Sequence, residues 1–199
     1  MKNYLCLNGK KIELTPEQVQ SLTGDSGYDV SLDESGEIAR VGEYEFIILK
    51  HTDECVHLLL KNSLGDMRFG DTSDFRTSDI KRRLEEFADE LASIIGAENI
   101  VEHTVDLTSD DGLKDYGSTT ARVSLLTADM YREHLYTIDK YKIDDWWWLV
   151  TPFSTPAHGY EKALKCVAPS GYVYYYYYCD GHYGGVRPFW ILKSDIFVS

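Results

Sequence analysis

The sequence predicts an α+β domain of mixed, mostly antiparallel sheets with two main helices, preceded by a small hairpin-and-helix appendage. Three observations lead there. Short apolar runs such as Tyr44-Glu45-Phe46-Ile47-Ile48-Leu49 and Val56-His57-Leu58-Leu59-Leu60 recur between turn residues, as strands do. One long stretch, Ser78 to Ile95, keeps a helical period, and a shorter one opens at Thr127. The length of 199 residues, 43% hydrophobic, suits one large domain, or one domain with a small addition.

Residues 4–14 alternate around Asn8-Gly9, the dipeptide that best closes a two-residue hairpin. Thr15-Pro16-Glu17-Gln18 then reads as a helix start: Thr15 caps, Pro16 takes the first helical position and Gln18 completes a capping box. This helix ends near Gly24, and a loop of Gly, Asp and Ser follows, so residues 1–35 are expected to form the appendage and 36–199 the main domain. From Ile38 the chain reads as β-structure, with a polar turn at Thr52-Asp53-Glu54 between the two strands above. In the long helix Ile80, Leu84, Phe87, Leu91 and Ile95 share a face, Asp79 lies in the first turn and Gly96 ends it. Ile100 to Leu107 reads as a strand, Ser109-Asp110-Asp111-Gly112 as a turn, and Thr127-Ala128-Asp129 opens the second helix, through Leu135.

Charge and aromatics are unevenly shared. The chain carries a net charge of -13, yet after Lys140 five basic residues balance five acidic ones, so the whole excess belongs to residues 1–140. The part after Lys140 holds all four Trp, nine of the fifteen Tyr and three of the seven Phe. The acidic balance argues against a nucleic-acid partner, which needs clustered Lys and Arg, and against docking on anionic lipid. No apolar run approaches the roughly 20 residues of a membrane span, and no secretory signal follows Met1, so insertion in a membrane is not expected. Cys6, Cys55, Cys166 and Cys179 show no Cys-x-x-Cys spacing and read as reduced, partly buried thiols. Cys55 and His57 share a strand face but are too few for zinc, and Asp106, Asp110, Asp111 and Asp115 lack the spacing of a calcium loop; they read as turn and cap residues. Neither a metal nor a cofactor is expected.

The C-terminal part carries the functional signal. Between Trp146-Trp147-Trp148-Leu149-Val150 and Gly184-Gly185-Val186-Arg187-Pro188-Phe189-Trp190 stand five consecutive tyrosines, Tyr174 to Tyr178. A strand turns alternate rings to opposite faces. With Val173 inward, Tyr175 and Tyr177 pack on the core, and Tyr172, Tyr174, Tyr176 and Tyr178 face out. Tyrosine suits a binding surface: a wide rigid ring, a polar tip and little entropy to lose. Cys166 to Phe189, and Phe153 to Tyr160, contain no Lys, Glu, Gln, Met or Trp, the residues that codons ending in a pyrimidine cannot encode. Randomising the adenines of a template Asn codon gives that alphabet.

The frame Trp147-Trp148-Leu149-x-x-Pro152, a variable stretch, Gly171-x-Val173 and Gly185-Val186-Arg187-Pro188-x-Trp190-x-Leu192 resembles the ligand-binding variable proteins diversified by diversity-generating retroelements in gut bacteria and their phages. Phe46-Ile47-Ile48-Leu49, His103-Thr104-Val105-Asp106-Leu107 and Ser124-Leu125-Leu126-Thr127 resemble the body of related phage and gut-bacterial domains, so the likeness spans roughly residues 40–199. It implies a C-type lectin-like fold of the subtype shared with formylglycine-generating enzyme. It implies scaffold roles for Trp147, Trp148, Pro152, Gly185, Val186, Arg187, Pro188 and Trp190. It implies a ligand-binding variable region at about 153–189, with Phe153, His158, Tyr160, Tyr174, Tyr176, Tyr178, Asp180, His182 and Tyr183 contacting the ligand. Glu161, Lys162 and Lys165 interrupt that stretch, and the calcium-binding Glu-Pro-Asn and Trp-Asn-Asp triplets of sugar-binding lectins are missing.

The expected function is binding without catalysis: recognition of a protein or cell-surface ligand by a virion-associated or cytoplasmic chain, with oligomers possible. Two alternatives stand beside it. One is an oxidoreductase like formylglycine-generating enzyme, which would need a reactive cysteine pair, or a set built from Ser170, Asp180 and His182. The other is a phage structural component that uses the tyrosine face for assembly.

Overall fold

A computed structural model describes residues 3–7, 10–14, 30–33 and 37–194; of these, the side chains of 3–7, 10–14, 175 and 176 are outside the description. Strands β1 (Asn3–Leu7) and β2 (Lys10–Leu14) pair antiparallel with Leu7 opposite Lys10, which is hairpin register. The turn residues Asn8 and Gly9, and the helix expected from Thr15, lie outside the described residues.

Strands β3 (Val30–Leu32), β4 (Ile38–Val41), β5 (Tyr44–His51) and β6 (Cys55–Leu60) form an antiparallel run. Residues 30–32, which form β3, fall where the appendage's closing loop was expected. They belong to the large sheet instead, because their backbone pairs with β4 and Val30 is buried in the core. After the short β7 (Asp66–Met67) comes helix α1 (Asp79–Ile95). Ser78 caps it by accepting the Lys81 N–H at 3.0 Å, and Gly96 ends it with φ of 82°.

The strand expected over 100–107 is two strands. β8 (Ile100–Val101) pairs with β16 (Phe189–Lys193), whereas β9 (His103–Asp106) pairs with β10 (Ser118–Ala121), which the sequence reading did not single out. β11 (Val123–Ser124) precedes the second helix, which runs as α2 (Ala128–Glu133), capped by Thr127, and continues into α3 (Leu135–Ile138).

The large sheet has the order β11-β16-β6-β5-β4-β3, with β8 beside β16. A second sheet is built from β12 (Trp147–Pro152), β13 (Ala163–Val167), β14 (Val173–Tyr178) and β15 (Gly184–Gly185), in the order β14-β13-β12-β15-β7. Only the β12–β15 contact among these is parallel. The described chain is thus α+β with mostly antiparallel sheets and few helices.

Two apolar clusters explain the continuous hydrophobic runs. Phe46, Leu58, Leu60, Trp148, Val150 and Trp190 join the α1 stripe in one cluster. Their strand neighbours Ile47, Leu59, Trp147, Leu149 and Phe189 join Tyr131 and Ile138 of the second helical region in the other. A strand covered on both faces needs apolar residues at every position, and β12 and β13 are buried throughout. Among the described residues no helix is long and apolar enough to cross a membrane.

Candidate ligand face

The sheet β14-β13-β12 brings three separated segments to one end. Phe153 donates its N–H to Ala163 O at 2.9 Å, Ala163 donates to Tyr160 O at 3.3 Å, and Ala163 stands opposite Tyr178 across the ladder. The Phe153 and Tyr160 rings meet edge to face at 5.2 Å. Cys179 then donates to Lys162 O, and Lys162 Nζ reaches Asp180 Oδ2 at 2.8 Å, a contact that holds the Asp180 carboxyl below its usual range. His182 folds back onto the strand: its ring lies 4.3 Å from Tyr177 and 6.3 Å from Tyr178, nearly parallel to the latter. Tyr160, Tyr178 and Tyr183 are 46%, 47% and 67% exposed, so these rings, with His182, present apolar area to water.

Tyr174 does not face out as expected. It packs half-buried beside Tyr177, 6.5 Å away, against the core cluster. The cause is a bulge: Leu164 opposes Tyr177 and Cys166 opposes Tyr174, so three steps along β14 match two along β13. The extra residue shifts the parity and turns both rings inward, while Val173 packs into the other cluster. The Tyr176 side chain lies outside the described residues. Tyr172 is exposed at the opposite end of β14.

Beneath the face runs an aromatic ladder that sequence reasoning missed. Trp146 and Tyr177 lie parallel at 5.7 Å, Tyr174 meets Trp146 edge-on at 5.3 Å, and Tyr177 leans on Trp148 at 5.3 Å. His182 and Tyr178 thus rest on rings rooted in the core, which restricts their motion. Trp148 is fixed in turn by donating its Nε1–H to Met67 O at 2.8 Å.

The loop carrying Phe153, His158 and Tyr160 is tied down by the acidic segment. Asp111 accepts from Ser109 at 2.5 Å, from Ser154 at 2.6 Å and from His158 Nδ1 at 2.9 Å. Burial pushes its carboxyl up, but these donors outweigh it and hold the group well below the ordinary range. Thr155 Oγ1 donates to Asp115 at 2.7 Å. Lys165, buried, pairs with Asp110 at 2.9 Å and lies 6.0 Å from the Phe153 ring. Lys165, which breaks the expected variable stretch in the sequence, points inward. Asp106 turns back on its own loop, accepting from the Thr108 N–H and hydroxyl. Among the described residues no group of three or more His, Cys, Asp and Glu side chains gathers as a metal site.

All eight expected scaffold residues are buried. Gly184 and Gly185 allow close approach: a Cβ would lie 3.1 Å from the Trp148 ring and 2.9 Å from Ser63 Oγ, respectively. Arg187 donates to Leu60 O and Lys61 O at 3.1 and 2.8 Å, and its guanidinium lies 4.8 Å over the Trp147 ring. Burial brings its pKa down to about 10, so it stays charged at neutral pH. The same effect pushes the Cys166 and Cys179 thiols up to about 12, which keeps them protonated and poor nucleophiles. Ser170 is exposed on the turn before Gly171, at the other end of β14 from Asp180 and His182. A groove of about 280 Å³ between α1 and β10–β11 shares no residue with the ligand face, and its Lys81 and Arg122 are paired with Glu85 and Asp89. No protein-family model, curated protein or solved structure matches the chain.

Proposed function

We propose that this chain is a receptor-recognition protein: a C-type lectin-like scaffold of the formylglycine-generating-enzyme subtype that displays a diversified, tyrosine-rich face and catalyses nothing itself. The observation that carries the reading is the contrast between frame and face. Trp147, Trp148, Val186, Arg187 and Trp190 are buried, while Tyr160, Tyr178, His182 and Tyr183 stand exposed on the loops and strand end they support. A rigid core with a replaceable aromatic rim is what recognition of many alternative ligands requires, because rigid rings lose little entropy on binding. The ligand class is a protein or a cell-surface molecule, and in a virion the role is attachment to the host. The protonated, buried thiols favour binding over cysteine redox chemistry.

The DNA beside the gene tests the diversified part of this reading. The expected finding is a near-copy of the segment encoding Phe153–Val198, differing at adenines, next to a reverse-transcriptase gene. Its absence removes diversification and leaves an ordinary binding face. Replacing Cys166 and Cys179 by Ser leaves ligand capture intact if the reading holds; loss of capture by a folded variant returns the case to thiol chemistry.

A further inference from the structure

The floor of the ligand face is aromatic and its border is acidic. Trp146 and Tyr177 are parallel, with Tyr174 against the Trp146 edge, and all three are half-buried. Asp145 accepts the Trp146 N–H at 2.7 Å. Asp66, on β7, stands opposite Gly185, whose N–H donates to Trp146 O at 2.7 Å, which sets its carboxyl in the field of Asp145. Burial and the Asp145 charge together push the Asp66 carboxyl above its ordinary range. Among the described residues neither carboxylate pairs with a Lys or Arg. The cations nearest in sequence and on the face are already taken: Arg68 by Asp71 and Asp79, Lys142 by Asp139, Lys162 by Asp180. Two like charges pressed together beside electron-rich rings are relieved by a cation, and the net charge of -13 draws one in.

We infer that the partner of this face is a polypeptide that presents an arginine or lysine side chain to the exposed part of the Trp146–Tyr177 stack, beside Asp66 and Asp145. This rests on the ligand-face reading above and names its partner chemistry. A guanidinium fits best: its plane stacks on a ring while its N–H groups meet a carboxylate in two parallel bonds. Neutral sugars also stack on rings, but they gain nothing from the carboxylate pair.

The test is panning a random-peptide display library on the full chain, followed by titration of the selected peptides. Peptides rich in Arg and Lys are expected. Asp66→Asn/Asp145→Asn should bind them about tenfold more weakly, whereas Glu43→Gln/Glu133→Gln, which removes the same charge elsewhere, should bind them unchanged. Affinity should fall as salt rises, a readout that does not depend on any variant folding. Neutral or acidic peptides that need Tyr178 and Tyr183 would overturn the cationic partner while sparing the face. So would a neutral oligosaccharide that binds the same rings in their place. Peptides that bind Tyr178→Ala/Tyr183→Ala as well as the parent would overturn the face itself.

Discussion

Asp111 shows how one side chain can fix a loop more than forty residues away in sequence. Its carboxylate gathers hydroxyls from Ser109 and Ser154 and the ring N–H of His158, fixing the turn between Phe153 and Tyr160. Hydrogen bonds to a charged group contribute about 1.5–3 kcal/mol each when intact, less where water competes. Asp111→Ala should therefore lower unfolding free energy by about 2 kcal/mol, read from urea midpoints. By contrast Tyr178→Ala and Tyr183→Ala remove exposed rings, and each should leave stability within about 0.5 kcal/mol of the parent. The thiols offer a second residue-scale check. Cys55 is partly exposed, whereas Cys166 and Cys179 are buried. A thiol reagent should label Cys55 in the native protein and reach Cys166 and Cys179 only on unfolding.

For single elements, caps and close approaches set the local stability. Ser78 starts α1 with one hydrogen bond to Lys81 N–H, and Ser78→Ala should cost about 1 kcal/mol in thermal unfolding. Gly184→Ala would drive a methyl toward the Trp148 indole that anchors the aromatic ladder. Overpacking of that kind costs about 1–3 kcal/mol, and it should also weaken ligand capture, because His182 and Tyr177 ride on the same stack. The β14 bulge has a related consequence. It points Tyr174 and Tyr177 inward together, so Tyr174→Ala should cost stability as a core truncation does, unlike the rim tyrosines.

Across the whole molecule, acid acts in two windows. His57 and His103 flank the Phe189 ring at 5.7 and 5.2 Å. Burial lowers both pKa values from 6.5, helped at His57 by Lys50 and His134 against Glu133, and opposed at His103 by the Val101 backbone and Glu102. A lowered histidine pKa means that the unfolded chain takes up protons first. Stability should thus fall as pH drops from about 6.5 and level off once the folded rings also protonate. Asp110 and Asp111 have depressed carboxyl pKa values, so their contribution persists above the ordinary carboxylate range and is lost only as pH falls below about 4. Urea midpoints measured against pH should show both steps, and His57→Gln should shrink the first alone.

Local chemistry was enough to write α1 with its apolar stripe and Gly96 stop, the β1–β2 pairing, the β5 and β6 strands and the α+β class. Each depends on contacts a few residues apart, or on a periodicity that one face of the core imposes. The separation of acidic body from neutral aromatic region was equally plain in the sequence. Tertiary structure decided the rest. The 100–107 run split because its halves pair with different strands, and β3 left the appendage because β4 offered it an edge. Tyr174 turned inward because β13 and β14 fall out of step by one residue, a register no propensity encodes. Asp111 met Ser154 and His158 across more than forty residues, and Asp66 met Asp145 across nearly twice that distance in sequence. Residue types made the rim a candidate binding surface, but only packing decides which rings face water and which carboxylates stand beside them.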